Sequence, residues 1–230
     1  MDFKAGEIIC INKPYTWTSF AVVNKVRYLL CRKMGVKKLK VGHTGTLDPL
    51  ATGVMILCTG KATKRIEEFQ YQTKEYVAHI RLGATTPSYD LEKPIDATYP
   101  TEHITRESVE AALRSLTGER EQLPPLYSAK KVQGVRAYEF ARAGEEVELK
   151  KAHITIYNME LVEYDLPRIK IRVECSKGTY IRSLAFEIGE ALASGAYLSS
   201  LRRTRSGDFR VEEGHQLDLF LEKLRECETK

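Results

Sequence analysis

No apolar run in this 230-residue chain approaches the roughly 18–20 residues of a membrane-spanning helix. Met1-Asp2-Phe3-Lys4 does not open a basic region followed by a long apolar stretch, so no secretory signal is expected and a cytoplasmic protein is. The five cysteines (Cys10, Cys31, Cys58, Cys175, Cys227) are odd in number and widely spaced, with no C-x-x-C pair. That argues against a disulfide framework and against a thiolate zinc site. His43, His79, His103, His153 and His215 are equally scattered, and no two stand at metal-ligand spacing. A metal-dependent mechanism is therefore not expected. Thr59-Gly60-Lys61-Ala62 looks like the end of a phosphate-binding loop. However, Met55 stands where that motif needs its first glycine and Ala62 where it needs a Mg²⁺-binding hydroxyl, which excludes a nucleoside triphosphate site. There is no internal repeat and no low-complexity linker.

What remains is an ordinary globular composition, 29% charged and 43% hydrophobic, with enough chain for a buried core. The net charge of +5 is mild, but its distribution is uneven. From Ile8 to Ile66 the only acidic residue is Asp48, where an even spread of the chain's 31 acids would place roughly eight. The same stretch holds Lys13, Lys25, Arg27, Arg32, Lys33, Lys37, Lys38, Lys40, Lys61, Lys64 and Arg65. A basic segment of this length reads as a surface for a polyanion, most commonly nucleic acid, with a solvated basic helix face as the bland alternative.

Hydrophobic periodicity places a buried strand at Glu7–Asn12 and a helix capped by Thr18 or Ser19 that runs to Arg32. A turn-rich loop follows over Gly42–Gly53, then a buried strand at Val54–Cys58. Lys74–Leu82 alternates as a half-buried strand with Tyr76, Ala78, Ile80 and Leu82 on one face. A helix starts at Thr105 and ends at Gly118. Leu123–Glu148 shows little regular pattern, and a stretch of that length inside a compact chain is usually functional or mobile. Strands are predicted near His153–Tyr164 and Arg168–Cys175, a helix from about Thr179 to Ala193, a basic turn over Leu198–Arg205, a short strand at Asp208–Glu212 and a final helix over Gln216–Cys227. This mixture indicates an α+β fold with a mixed or antiparallel sheet.

Taken singly, the polar residues are ambiguous. Asp48 precedes a proline in a glycine-rich loop and is alone among basic residues. It fits an Asx-type turn or cap as well as it fits a carboxylate kept ionised by positive charge and available as nucleophile or base. Tyr76 alone reads as a core tyrosine, Arg182 as a surface arginine and His43 as a structural loop histidine.

In combination, Gly42-His43-Thr44-Gly45-Thr46-Leu47-Asp48-Pro49-Leu50-Ala51-Thr52-Gly53 closely resembles the catalytic motif of the TruB family, the tRNA pseudouridine-55 synthases. Further segments agree in order: Lys13-Pro14, Gly60-Lys61-Ala62-Thr63-Lys64, Lys74-Glu75-Tyr76, Arg81-Leu82-Gly83, and Pro124-Pro125-x-Tyr127-Ser128-Ala129-x-Lys131. Gly134-x-Arg136-Ala137-Tyr138-Glu139-x-Ala141-Arg142, the segment from Cys175 to Arg182, and Leu201-Arg202-Arg203-Thr204 complete the set, so the resemblance covers residues 7–210.

The resemblance implies the pseudouridine synthase fold: a mixed, largely antiparallel central sheet flanked by helices, with an inserted RNA-gripping segment at about 123–152. It implies one catalytic domain over 1–230, with a short terminal strand and helix over 208–227; many relatives carry an extra C-terminal RNA-binding (PUA-type) domain, for which the stretch after Arg210 is too short, so none is expected. The implied reaction isomerises uridine 55 in the T-loop of tRNA, with the nucleotide flipped into a pocket and no cofactor or metal. Asp48 is then the nucleophile, Arg182 its partner, and Tyr76 the ring that stacks on the flipped uracil. Tyr180 and Leu201 line the pocket, His43 packs into the T-loop, and Asp90 is an acidic residue near the site. Lys13, Lys64, Lys131 and Arg142 are further substrate-binding candidates, and over Ser128–Lys151 six basic residues stand against four acidic ones. The expected partner is tRNA, with no membrane, no protein partner and a monomeric state. A non-catalytic tRNA-folding chaperone and a related synthase acting on ribosomal RNA remain as alternatives. Two segments depart from the family pattern: Thr16 replaces a glycine, and Thr86-Pro87-Ser88-Tyr89-Asp90 replaces Thr-Asp-Thr-x-Asp.

Overall fold

The computed structural model describes residues 2–128, 130–132, 134–145 and 147–226, without the side chains of Lys131, Arg142 and Glu226. The chain divides into two compact units, Met1–Tyr76 with Arg202–Lys230, and Val77–Leu201. In chain order the first unit holds β1 (Ile8–Lys13), α1 (Ser19–Lys33), β2 (Val41–His43), β3 (Ala51–Thr59), a 3₁₀ turn (Gly60–Arg65), α2 (Ile66–Tyr71) and the start of β4 (Lys74–Leu82). The second continues with β5 (Ala84–Thr85), β6 (Ala97–Thr98), α3 (Arg106–Ser115), β7 (Gly118–Gln122), β8 (Lys131–Val132), β9 (Val135–Arg136), α4 (Ala137–Ala143), β10 (Ala152–Asp165), β11 (Arg168–Cys175), α5 (Ile181–Ala191) and most of β12 (Ala196–Ser206). The chain then re-enters the first unit for β13 (Phe209–Arg210), a 3₁₀ turn (Val211–Glu213), β14 (His215–Gln216) and α6 (Leu217–Glu226).

Strands of the first unit lie in the order β14-β1-β3-β12, with β2 also on β3 and β13 on β12. The β1–β14 pair is parallel, while β1–β3, β2–β3 and β12–β13 are antiparallel. In the second unit the order is β12-β4-β11-β10-β7, with β10 antiparallel to both β11 and β7. The sheet is thus mixed and largely antiparallel with helices beside it, the α+β class expected. Among the described residues no helix is long and apolar enough to cross a membrane.

The expected elements form for the expected reasons. Thr18 caps α1 by accepting from the Ala21 N–H, and Val22, Val23, Val26, Leu29 and Leu30 turn inward. They form one core with Ile9, Ile11, Met55 and Leu57 and with Leu217, Phe220, Leu221 and Leu224 of α6. In β4 the buried positions alternate, with Tyr76, Ala78, Ile80 and Leu82 on the inner face. Thr105 caps α3 in a capping box with Ser108.

Several expectations need correction. Leu198–Arg205 is not a turn: it lies within the 11-residue strand β12. Burial alternates there, with Leu201 and Arg203 inside and Arg202 outside, so charge does not mark solvent at every position. Gly118 does not simply end a helix. It opens β7, a charged strand (GEREQ) that pairs along β10. The irregular 123–152 stretch contains the β8–β9 hairpin and the helical turns of α4. The strand expected at Asp208–Glu212 shortens to Phe209–Arg210 before a 3₁₀ turn. Cys227, the last residue of the predicted terminal helix, lies outside the described residues.

Gly53 is one of the backbone positions of the first unit that only glycine fits. Gly53 has φ +107°, and a Cβ there would collide with the Arg203 backbone carbonyl. Gly53→Ala is expected to destabilise the protein by about 3 kcal/mol, read as a lower urea midpoint at unchanged slope.

Candidate active site

The first unit builds a carboxylate site on the loop between β2 and β3. Two anchors hold its Leu47-Asp48-Pro49 apex. The Ser19 hydroxyl accepts from the Leu47 N–H and donates to the Leu47 carbonyl, both at 2.9 Å. From below, the ammonium of Lys13, a fully buried side chain, donates to the Pro14 (2.9 Å), Trp17 (2.6 Å) and Pro49 (3.4 Å) carbonyls. The Thr16 N–H also reaches the Pro49 carbonyl, at 2.8 Å, and the Asp48 carbonyl accepts from the Ala51 N–H at 3.0 Å, closing the turn. The Asp48 side chain itself is half-buried.

Electrostatics couple these groups. Burial pushes the Lys13 ammonium down to about 8, the Asp48 carboxylate opposes that shift, and the Arg203 guanidinium reinforces it. Arg203 is buried. Its Nε donates to the Val54 carbonyl (2.7 Å) and its Nη2 to the Gly45 carbonyl (3.2 Å), so two points of the loop hang on one guanidinium. His43 Nδ1 accepts from the Gly45 N–H at 3.3 Å. Burial and the nearby Arg203 charge hold this imidazole below its usual range, which favours the neutral ring at physiological pH. The first unit therefore gathers Lys13, His43, Asp48 and Arg203 around one loop. Tyr76 is buried at the start of β4, and Lys64 is exposed on the 3₁₀ turn.

Thr16 settles how the departure from glycine is accommodated. Its φ is +70°, so this chain keeps a left-handed backbone with a β-branched residue in a conformation such residues rarely adopt.

The second unit builds a cation site. Arg182, in the first turn of α5, is buried rather than on the surface. Its Nη1 donates to the Tyr127 (3.0 Å) and Ser88 (3.3 Å) carbonyls, and its Nε stands 3.7 Å from Asp90 Oδ2, an ion-pair distance rather than a hydrogen bond. The carboxylate of Asp90 is also buried, and its Oδ1 accepts from the Glu92 N–H at 2.9 Å. Although Pro87 departs from the family pattern, this loop is tied down. The Thr86 hydroxyl donates to the Asp90 carbonyl at 2.7 Å, and the Leu198 N–H donates to the Tyr89 carbonyl at 2.9 Å. Tyr180 precedes α5, its N–H bonded to Gln122 Oε1 at 2.8 Å, and Leu201 is buried on β12. Lys131 lies on β8 and Arg142 on α4, and their side chains fall outside the description.

Sequence reasoning missed two positioning residues. Arg203 enters the sequence only as part of Leu201-Arg202-Arg203-Thr204, and Ser19 as a helix cap and a residue of the early family motif, neither with a link to the Asp48 loop. An arginine aligned with buried strand positions was the available clue for the first; the second had none, because its partner Leu47 is 28 residues away.

The sequence model for TruB family pseudouridylate synthase (N terminal domain) matches residues 32–181. The chain belongs to the TruB family. A tRNA pseudouridine synthase B from Phocaeicola vulgatus is 66% identical over 228 residues, covering 99% of this chain and 97% of the relative. One from Bacteroides fragilis is 68% identical over 213 residues, covering 93% and 91%. Among solved structures, a Cbf5-Nop10-Gar1 complex contains a chain with TM-score 0.71 and 29% identity, matched over 96% of this chain and 54% of that one. An H/ACA RNP bound to a substrate RNA containing 2'-deoxyuridine matches with TM-score 0.69 and 27% identity, over 96% and 53%. This TruB-family chain thus spans about half the length of those two, and its fold is the pseudouridine synthase fold expected.

Proposed function

We propose that this TruB-family enzyme isomerises uridine 55 in the T-loop of tRNA to pseudouridine. The observation that carries the proposal is Asp48, the sole acid between Ile8 and Ile66, presented on a loop pinned by Ser19, Lys13 and Arg203. Clamping both sides of the apex fixes the carboxylate before substrate arrives, which lowers the reorganisation the reaction requires. The uridine flips out of the RNA, its C1′–N1 bond breaks, the uracil turns, and a C1′–C5 bond forms. C5 loses a proton and N1 gains one, so composition is unchanged and no cofactor is consumed.

Asp48 acts as the nucleophilic carboxylate, and Arg182 is the cation the family pairs with it. Tyr76 offers a flat face on which the uracil can turn without a fixed set of hydrogen bonds. Tyr180 and Leu201 shield the intermediate from water, with Asp90 holding Arg182. A neutral His43 is suited to fill the space the base leaves in the T-loop. Lys64, Lys131 and Arg142 contact phosphates. Lys13 serves the substrate indirectly, through the loop it holds. We read residues 1–230 as one catalytic domain with its RNA-gripping insertion at 123–152. The enzyme acts in the cytoplasm as a monomer on tRNA, without a required protein partner.

The test is tritium release from a tRNA transcript labelled at C5 of its uridines. Wild-type protein should release one equivalent per tRNA, mapping to position 55, and none from a transcript with cytidine there. Absence of release from the uridine-55 transcript would overturn the proposal.

A further inference from the structure

The basic segment from Ile8 to Ile66 is only partly accounted for by the Asp48 loop. Most of its charge lies on α1 and the loop after it. The outward stripe of α1 carries Phe20, Asn24, Arg27, Tyr28 and Arg32, spaced three or four residues apart and so on one side of the helix. Phe20 is 69% exposed and Tyr28 54%, unusual for large rings on a helix that already buries a full apolar face. Arg27 donates to the Asn24 side chain, and the Arg32 guanidinium lies 5.8 Å over the Tyr28 ring. Lys25 and Lys33 flank the stripe, and exposed Lys37, Lys38 and Lys40 continue it. Among the described residues, none of Lys25, Arg27, Lys33, Lys37, Lys38 and Lys40 forms an ion pair. Six cations without a carboxylate partner, four of them exposed, stand beside two exposed rings and leave this surface uncompensated.

Its position gives that surface a direction. Ser19, the first residue of α1, is the one whose hydroxyl grips Leu47 beside Asp48. The stripe therefore starts at the Asp48 loop and leads away from it for about 20 Å, the length of a 15-residue helix. Exposed aromatics interleaved with guanidinium and ammonium groups are the chemistry that holds a ribose-phosphate chain: rings stack on bases or sugars, and cations replace condensed counterions. Protein interfaces are depleted in lysine, whereas this surface carries five: Lys25, Lys33, Lys37, Lys38 and Lys40.

We propose that the outward face of α1 and the lysines after it form a second RNA-contact surface, which holds the phosphate backbone of the tRNA strand leaving the active site. The proposal rests on Asp48 marking the catalytic centre. The surface contributes affinity, not chemistry.

The test measures equilibrium binding of full-length tRNA by filter retention at several salt concentrations, alongside pseudouridine formation. The triple variant Arg27→Gln/Lys37→Gln/Lys38→Gln should weaken binding about tenfold near 0.15 M salt and reduce the slope of log affinity against log salt by about 2–3. Its kcat at saturating tRNA and its thermal midpoint should match wild type. Phe20→Ala/Tyr28→Ala should weaken binding by about fivefold or more with the salt slope unchanged. Wild-type affinity and salt slope in the triple variant would overturn the inference, as would weaker binding with an unaltered slope, which would point to a protein-like rather than a phosphate contact. If wild-type protein forms no pseudouridine while the binding differences hold, the catalytic reading fails and the RNA surface stands.

Discussion

Asp48→Asn should leave tRNA bound and unmodified. The amide has nearly the shape of the carboxylate, and several contacts that set the loop run through its backbone. The Asp48 carbonyl still accepts from Ala51, Ser19 still holds Leu47, and Lys13 still reaches the Pro49 carbonyl. What is lost is the negative charge and the oxygen proposed as nucleophile, for which the sequence offers no other acid between Ile8 and Ile66. Loss of a group that makes a covalent step costs on the order of 10⁴-fold or more in rate. Tritium release should fall to background while the tRNA dissociation constant stays within about twofold of wild type. Measurable turnover by the amide variant would remove Asp48 from the chemistry. Loss of binding instead would make it a recognition residue, and intact binding without product excludes a chaperone that needs no chemistry. The substitution has a second consequence. Asp48 raises the Lys13 ammonium against burial and Arg203, so its neutralisation moves Lys13 further below about 8.

Arg182→Met should be costly twice over. The guanidinium is buried, bonded to two carbonyls, and faces a buried carboxylate. Methionine fills much of the volume but takes the guanidinium away from the buried Asp90 carboxyl group, to which the Glu92 N–H still donates. Removing one member of a buried pair costs about 3–5 kcal/mol, which in a chain of this size lowers the melting midpoint by roughly 10 °C. Both side chains are nearly inaccessible, so solvent screening does not erode that figure appreciably. Pseudouridine formation should fall at least a hundredfold, on the order of the loss of a charge-stabilising group. The double variant Arg182→Met/Asp90→Asn separates the two costs. It should recover much of the thermal midpoint, because the orphaned charge is gone, and none of the activity. Recovery of both would reduce Arg182 to a structural residue.

The sequence made these residues legible unevenly. The Asp48 loop stood out on local grounds, since turn formers, a proline and a solitary acid in a basic segment are all visible within a dozen positions. The alternation of β4 and the inward face of α1 are equally local, and both hold. Arg182 and Asp90 were not legible from pattern. An arginine early in a helix looks solvent-facing, and only the fold brings Ser88, Asp90 and Tyr127 around it from 55 to 94 residues away. The family resemblance supplied them where periodicity could not. β12 was misread for a related reason. Ser199, Ser200, Arg202 and Arg205 obscure its period of two, and the buried Arg203 finds its acceptors on the backbone of a distant loop. β7 was missed because GEREQ has no apolar face, its place in the sheet resting on ladder bonds to β10. α4 was missed because a seven-residue helix is too short to show a stripe.

β12 also limits how this chain can change. Leu201 and Arg203 point the same way because they are two residues apart, and Arg203 meets Val54 and Gly45 only at that parity. Exchanging one side chain for another leaves the rest of the strand in phase, whereas gaining or losing a single residue upstream of Arg203 would send that guanidinium outward and drive Arg202 into the interior. Descendants of this protein should therefore tolerate many spellings of the Ser199–Ser206 stretch and almost no variation in its length.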